Sequence, residues 1–225
     1  MPLQEFKQNL TNNIKEYHKI LEDFGCEIYD RYKKNPQDAA RFFLDTICLP
    51  RSVHMDFIKE GDMNTGSVGG IVIEWTFYHL IDSMLKKENR SDIKVINGYK
   101  LPYKWKKEGN KELNIDIAVG IDNGKPGKLK RLLYLIELKT NFEDGFEKYC
   151  VQQGHIYHHR TKNQPDFKYH YIAFSKIPPY IKKTYNSKLR AMSKRKQLWC
   201  FPILDKLGNP SEANIRACEE NAAKL

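Results

Sequence analysis

The sequence predicts a mixed α/β fold in which a β-sheet of about five strands is flanked by helices, with a helical extension at the N-terminus. Three patterns predict it: an apolar stripe at helical spacing near the N-terminus, a period-two alternation in mid-chain, and alternating strand and helix patterns after that. The chain has 225 residues, 40% of them hydrophobic, which is ample for a core. No apolar stretch approaches the roughly 18 residues of a membrane span, and the first residues lack a secretory signal. We therefore expect a soluble, cytoplasmic protein that is not bound to a membrane.

Residues 1–69 are predicted to form the helical extension and a glycine-rich loop, a possible dimerisation or DNA-contacting part. The helical stripe consists of Leu10, Ile14, Tyr17, Leu21, Phe24 and Ile28. Asn35-Pro36 is expected to break this helix, and residues 59–70 are expected to be a loop that lacks the Gly-Lys-Ser/Thr of a nucleotide-binding loop.

Residues 70–225 are predicted to form the core domain. In residues 113–121 the large apolar side chains occupy every odd position, which is typical of a strand with one buried face. A turn at 123–128 and a more continuously apolar strand at 132–140 complete a hairpin. The other predicted elements are a helix at 70–87, a strand at 92–96, a polar connection at 98–109, a helix at 143–160, a strand at 169–174, a basic, partly helical segment and a strand at 197–204.

Charged residues interrupt the second strand of this hairpin. Glu137 and Lys139 are two residues apart, so their side chains leave the same face of an otherwise apolar strand. Burying a charged side chain costs on the order of several kcal/mol unless the charge is paired or bound to a metal. If the hairpin turns near Lys125 and Pro126, Asp116 of the first strand lies opposite about Leu135, next to Glu137.

Two carboxylates and a lysine at one point of a sheet suit phosphodiester hydrolysis. The carboxylates can hold a hard divalent cation, for which Mg²⁺ is the best fit, and the lysine can orient water or stabilise developing charge. Neither strand carries a histidine pair at zinc-ligand spacing, which makes a zinc hydrolase a poorer interpretation.

Asp116 followed by Glu137-Leu138-Lys139 on the second arm of a hairpin resembles the active-site motif of the PD-(D/E)XK nuclease superfamily. The predicted element order over residues 70–205 is similar to that superfamily's core, so the resemblance implies a restriction-endonuclease-like fold. It also implies that Asp116 and Glu137 bind metal and that Lys139 is the catalytic lysine. Ile115 stands where the motif's name has proline.

Two further positions fit the resemblance. Phe77, Tyr78 and Ile81 place Glu74 on the sheet-facing side of its helix, and the resemblance implies that this acid reaches the metal site. Gln153, followed by Tyr157, resembles the Gln-x-x-x-Tyr element of some branches, in which the glutamine helps to position the site and the DNA.

Each assignment has a structural alternative. Glu137 and Lys139 could be a structural ion pair, and Asp122 rather than Asp116 could be the relevant acid. Glu74 could pair with a nearby lysine, and Gln153 could be an ordinary helix residue.

The net charge of +10 is concentrated in one segment. Between Asp166 and Asp205 there is no acidic residue but nine of the 38 basic ones, which leaves 29 basic against 28 acidic residues elsewhere. Residues 167–204 are therefore predicted to contact the phosphate backbone of DNA, although a solvated basic helix is the alternative. The predicted DNA-binding residues of this segment are Lys176, Lys182, Lys183, Lys188, Arg190, Lys194 and Arg195.

Together these features favour a type II restriction endonuclease that cleaves double-stranded DNA at a short palindrome with Mg²⁺. One site per chain implies a homodimer whose two-fold axis matches the palindrome. The alternatives are a structure-specific nuclease, such as a junction resolvase or repair nuclease, and a non-catalytic DNA-binding module.

Overall fold

The computed structural model describes residues 65–105, 109–139, 166–174, 177–194 and 198–200, most of residues 22–39, and the single positions 19, 42, 146, 213 and 216. The elements in chain order are α1 (Thr65–Lys87), β1 (Ile93–Trp105), β2 (Gly109–Asp122), β3 (Leu129–Lys139), β4 (Lys168–Ala173), α2 (Pro179–Lys194) and β5 (Leu198–Cys200).

The five strands form one mixed sheet in the order β1-β2-β3-β4-β5. The pairs β1–β2 and β2–β3 are antiparallel, whereas β3–β4 and β4–β5 are parallel. The predicted α/β class and the predicted mixed sheet of about five strands are therefore confirmed. The connection from β4 to β5 contains α2, as a parallel crossover requires.

Each face of the sheet has its own apolar core, because side chains alternate across a strand. On one face, Ile117, Ile136 and Leu138 pack against apolar side chains of α1. On the other face, Ala118 and Leu135 pack in a cluster that also contains side chains of α2. The sheet is thus covered by a helix on each side.

The prediction that the odd positions of residues 113–121 share one buried face is only partly correct. Ile117 and Val119 lie in the α1-side core, but Ile115 lies in the α2-side core together with Ala118. The alternation changes sides at Asp116, the position at which the β1–β2 register skips Gly98 of the neighbouring strand. Gly98 has a φ of 63°, a backbone conformation that glycine adopts without steric cost.

The first part of the chain packs on the outside of α1. Residues 25–34 are helical and Asn35 interrupts them, as predicted. At Gly25 the two backbones come so close that a Cβ atom would lie 2.7 Å from the carbonyl carbon of His79. Ile28 of the predicted stripe is buried; Leu10, Ile14, Tyr17, Leu21 and Phe24 lie outside the described residues.

Two predicted loops are secondary structure instead. The helix α1 begins at Thr65, so the second half of the expected glycine-rich loop is helical. The expected polar connection at 98–109 is mostly strand, because β1 continues to Trp105 and β2 begins at Gly109. Tyr99 and Leu101 alternate with exposed Lys100 and are buried, which is the strand signal that the density of lysines obscured.

Among the described helices, none is long and apolar enough to cross a membrane. The predicted helix at 143–160 falls almost wholly outside the described residues; its Phe146 is helical and fully buried. The predicted strand at 169–174 is confirmed as β4, and the described part of the last predicted strand is β5.

Candidate active site

The candidate site lies where β2 and β3 stop pairing. The last paired positions are Ile117 and Ile136, so Asp116 and Glu137 are the next residues on the two strands. The Leu138 N–H donates a hydrogen bond to Oδ2 of Asp116 over 2.7 Å. The aspartate side chain therefore accepts a backbone hydrogen bond at the point where the strand pairing ends, and this bond fixes its position.

Asp116 lies two residues away from its expected register. A turn centred between Lys125 and Pro126 is present, since Asp122 pairs with Leu129. Two register shifts follow, between Val119 and Gly120 and between Ile121 and Asp122, and Leu135 consequently pairs with Ala118. Each β-bulge adds one residue to β3. Asp116 is therefore brought level with Glu137 itself rather than with Leu135.

Glu137 is the most buried acid of the described chain, with 0% of its surface exposed. Lys139 Nζ lies 2.9 Å from its Oε1 and 3.6 Å from Oδ2 of Asp116. A carboxylate without water is stable as an anion only next to compensating charge, which the ammonium group supplies. Burial lowers the pKa of Lys139, but Glu137 and Asp116 outweigh this effect and raise it overall, so the lysine is protonated.

Burial also acts on Asp116, whose side chain is 15% exposed. Desolvation raises the pKa of Asp116, whereas Lys139 and the Leu138 N–H oppose that rise. A cation bound beside Asp116 would stabilise the ionised form of this carboxyl group and lower its pKa.

Glu74 of α1 is electrostatically coupled to the same site. Phe77, Tyr78 and Ile81 pack against the α1-side core, as the helical spacing predicts. Desolvation and then the negative charge of Asp116 raise the pKa of Glu74 to about 7, and Lys139 lowers it. The charged groups that shift the pKa of Glu74 are thus Asp116 and Lys139.

Asp122, the alternative to Asp116, has a different role. Its Oδ1 accepts a hydrogen bond from the Gly124 N–H over 3.0 Å, and its Oδ2 lies 3.8 Å from Lys94 Nζ. It therefore stabilises the turn between β2 and β3, at the opposite end of the β2–β3 pairing from Asp116.

The donor set is compatible with Mg²⁺. Among the described residues, no three or more His, Cys, Asp or Glu side chains are grouped closely enough to hold a metal by themselves. Protein-bound Mg²⁺ commonly uses one or two carboxylates and takes its remaining ligands from water and substrate phosphates. Asp116 and Glu137 supply hard oxygen donors of this kind, and Glu74 is electrostatically coupled to them.

The predicted DNA-binding residues divide into two groups. Lys182, Lys183, Lys188, Arg190 and Lys194 are exposed on α2, whose Ile181 and Leu189 face the sheet. Lys176, Arg195 and Gln153 lie outside the described residues.

One neighbour of the site was not among the predicted residues. Tyr171 of β4 is paired with Glu137 in the sheet register and is 0% exposed. The period-two pattern of Tyr169, Tyr171 and Ala173 carries the signal that Tyr171 points into a core, but only the β3–β4 register places it beside Glu137.

Comparisons with protein-family models, with curated proteins and with solved structures find no match to the chain.

Proposed function

We propose that the protein is a Mg²⁺-dependent nuclease that hydrolyses phosphodiester bonds of DNA. The observation that carries the proposal is the placement of Lys139 Nζ 2.9 Å from Glu137 and 3.6 Å from Asp116, where β2 and β3 stop pairing. A structural ion pair needs one acid and one base. Here a single lysine serves two acids and is coupled to a third, Glu74, so the negative charge exceeds what the lysine neutralises.

That excess of negative charge favours a bound cation. Asp116 and Glu137 would hold Mg²⁺, and Glu74 would act on the cation through its charge or through a water molecule. The bound cation would polarise the scissile phosphate and lower the pKa of a bound water.

The chain's own residues would do the rest. Lys139 would hold its ammonium group close to the attacking water or to the phosphate, where positive charge stabilises the developing negative charge. The Leu138 N–H keeps the Asp116 carboxylate in place. The pKa of Glu74 is raised to about 7 in the metal-free fold, and a bound cation would favour its ionised form.

The basic surface of α2 supports DNA as the substrate. Five of its side chains are exposed lysine or arginine, and no ion pair within the described residues neutralises them. The opposite face of the helix, with Ile181 and Leu189, is buried. A helix that presents only positive charge to solvent is typical of a surface that contacts phosphates.

Within this class we favour a type II restriction endonuclease that acts as a homodimer on a palindromic site. A nuclease of 225 residues with one site per chain needs a second copy to cut both strands. A structure-specific nuclease would use the same site but recognise DNA shape. A non-catalytic DNA-binding module would have no need for a third acid at the lysine.

One assay separates these possibilities. The full-length protein is incubated with plasmid and phage DNA in the presence of MgCl₂ or EDTA. A restriction endonuclease gives discrete bands that require MgCl₂, a structure-specific nuclease cuts branched DNA preferentially, and a binding module gives only a mobility shift. Intact DNA under all conditions, with branched substrates included, would contradict the proposed nuclease.

A further inference from the structure

The β1–β2 hairpin continues beyond the candidate site as a two-stranded ribbon. Pairing of β2 with β3 ends at Ile117, but pairing of β2 with β1 continues from Tyr99↔Ile115 to Trp105↔Gly109. About seven residues of each strand therefore extend past Asp116, which at 3.4 Å per residue is roughly 20 Å. We call residues 99–105 and 109–115 the ribbon.

The two faces of the ribbon differ next to the site. Tyr99, Leu101 and Ile115 are buried in the α2-side core. On the opposite face, Lys100 and Asn114 are exposed and are paired in the register. The ribbon therefore packs against the core by one face, and on the other it presents Lys100, Asn114 and, two residues further out, the acid Glu112 to solvent.

The distance of this pair from the site matches the spacing of DNA. Asn114 is two residues from Asp116 along β2, or about 7 Å. The backbone of one DNA strand carries a charge every 3.4 Å of helix axis, so about 7 Å corresponds to roughly two nucleotides. Gly98, level with Asp116 on β1, is exposed, and a Cβ atom there would meet no other described residue within 4 Å. The backbone of β1 beside Asp116 is thus exposed at Gly98.

We propose that the exposed face of the ribbon is a second DNA contact, in which Lys100 binds a phosphate and Asn114 reads a base edge within about two nucleotides of the bond that is cut. The inference rests on the proposed nuclease function. A two-stranded β-ribbon fits the major groove of B-DNA, and an asparagine side chain can donate to and accept from the same adenine edge. Along the hairpin, Asn114 lies two residues from Asp116 and Lys100 two residues from Gly98, so their contacts would fix the position of the cut relative to the sequence.

The test compares three exposed residues of the same two hairpins. Lys100→Ala and Asn114→Ala change the ribbon face, and Lys128→Ala changes a similarly exposed lysine in the turn at the far end of β2 as the matched control. Each variant is digested with phage DNA and MgCl₂, and the cut ends are sequenced. Binding is measured separately over a range of salt concentrations with Lys139→Ala combined with each change, so that cleavage does not interfere.

For each protein, the rate of cleavage at the wild-type site is divided by the rate at sites that differ by one base pair. We expect Asn114→Ala to lower this ratio about tenfold, because one base contact is lost. Lys100→Ala should weaken binding at every sequence and reduce the slope of log affinity against log salt by about one. Lys128→Ala should match the wild type in both measurements.

The outcomes distinguish the two proposals. If the wild type cuts DNA and all three variants behave alike, the ribbon contact is wrong and the nuclease stands. If the wild type binds DNA without cutting it, the nuclease is wrong, and the salt slope of Lys100→Ala against that of Lys128→Ala decides the ribbon contact by itself. Unchanged thermal unfolding of the variants excludes misfolding as the cause.

Discussion

The two ends of the β2–β3 pairing carry the same residue type in opposite environments. Asp116 is desolvated beside Lys139 and Glu137, and its pKa is raised. Asp122, six residues further on, is about one third exposed and accepts a hydrogen bond from a turn N–H. Both are aspartates at the end of a strand pairing. The difference shows that the fold can place one residue type in a desolvated cluster of charges or at a partly exposed turn.

The largest expected effect is on cleavage. Asp116→Ala and Lys139→Ala should each lower the rate of Mg²⁺-dependent DNA cleavage by about 10³-fold, because each removes charge at the reacting phosphate. Asp122→Ala and Lys130→Ala, which change an acid and an exposed lysine on the same two strands, should stay within about threefold of the wild type. Initial rates on supercoiled plasmid measure this. Substantial cleavage by Asp116→Ala, or its loss in Asp122→Ala, would reverse the assignment of the two acids.

The next effect is on stability. In EDTA, Lys139→Met should lower the free energy of unfolding by about 3–5 kcal/mol, because it removes the ammonium group that lies 2.9 Å from Oε1 of the fully buried Glu137. Glu137→Gln combined with Lys139→Met should recover much of that loss. Asp122→Ala should cost only about 1 kcal/mol, since it removes one exposed hydrogen bond and a long ion pair. Urea unfolding gives all three values, and a double variant no more stable than Lys139→Met would show that the pair does not act as a unit.

Glu74 gives a pH-dependent prediction. Its pKa rises from 4.5 in the unfolded chain to about 7 in the metal-free fold, so the folded state holds a proton between these values that the unfolded state has released. Metal-free protein should therefore lose stability as the pH rises from about 5 to 7, by roughly 1–2 kcal/mol once partial exposure is allowed for. Glu74→Gln should be free of this loss.

Thermal unfolding of the wild type and of Glu74→Gln, in EDTA at several pH values, measures the difference. Because a cation favours the ionised carboxylate, MgCl₂ should remove most of the loss in the wild type. Parallel curves for the two proteins would show that Glu74 keeps an ordinary pKa.

The smallest expected effect lies on α2, away from the buried acids. Lys182→Ala combined with Lys183→Ala should weaken DNA binding severalfold at physiological salt and reduce the salt slope by about two, since each lysine contributes about one phosphate contact. Stability should change by less than about 0.5 kcal/mol, because both side chains are exposed. A titration with a short duplex measures both quantities. An unchanged salt slope would remove α2 from the proposed DNA surface.

Residue patterns were sufficient to single out Asp116, Glu137 and Lys139, which the structure brings together. The apolar run around Glu137 and Lys139 predicted a buried strand with a charge in need of a partner, and both features are present. The stripe of Phe77, Tyr78 and Ile81 correctly placed Glu74 on the sheet-facing side of α1. These inferences succeeded because they depend on spacing within one element, which helix and strand geometry fix locally.

The inferences that failed depended on how elements meet. The lysines between Tyr99 and Trp105 made the outer half of β1 look like a polar connection. Burial of Tyr99 and Leu101 shows that it is a strand, but this burial depends on a core that other elements build. Similarly, glycines suggested a loop at residues 65–70, where α1 is already helical. Helix propensity is a weak guide when tertiary contacts extend the element.

The sequence by itself determined which residues carry charge into an apolar strand, and hence that Glu137 and Lys139 need partners. Only the tertiary structure decided which acid meets them. Two β-bulges move the register of β3 by two residues, and Gly120 lies against the carbonyl of Arg131 at the first of them, where a side chain has no room. The register depends on contacts between strands rather than within one. For that reason the position of Asp116 level with Glu137 could not be derived from either strand alone.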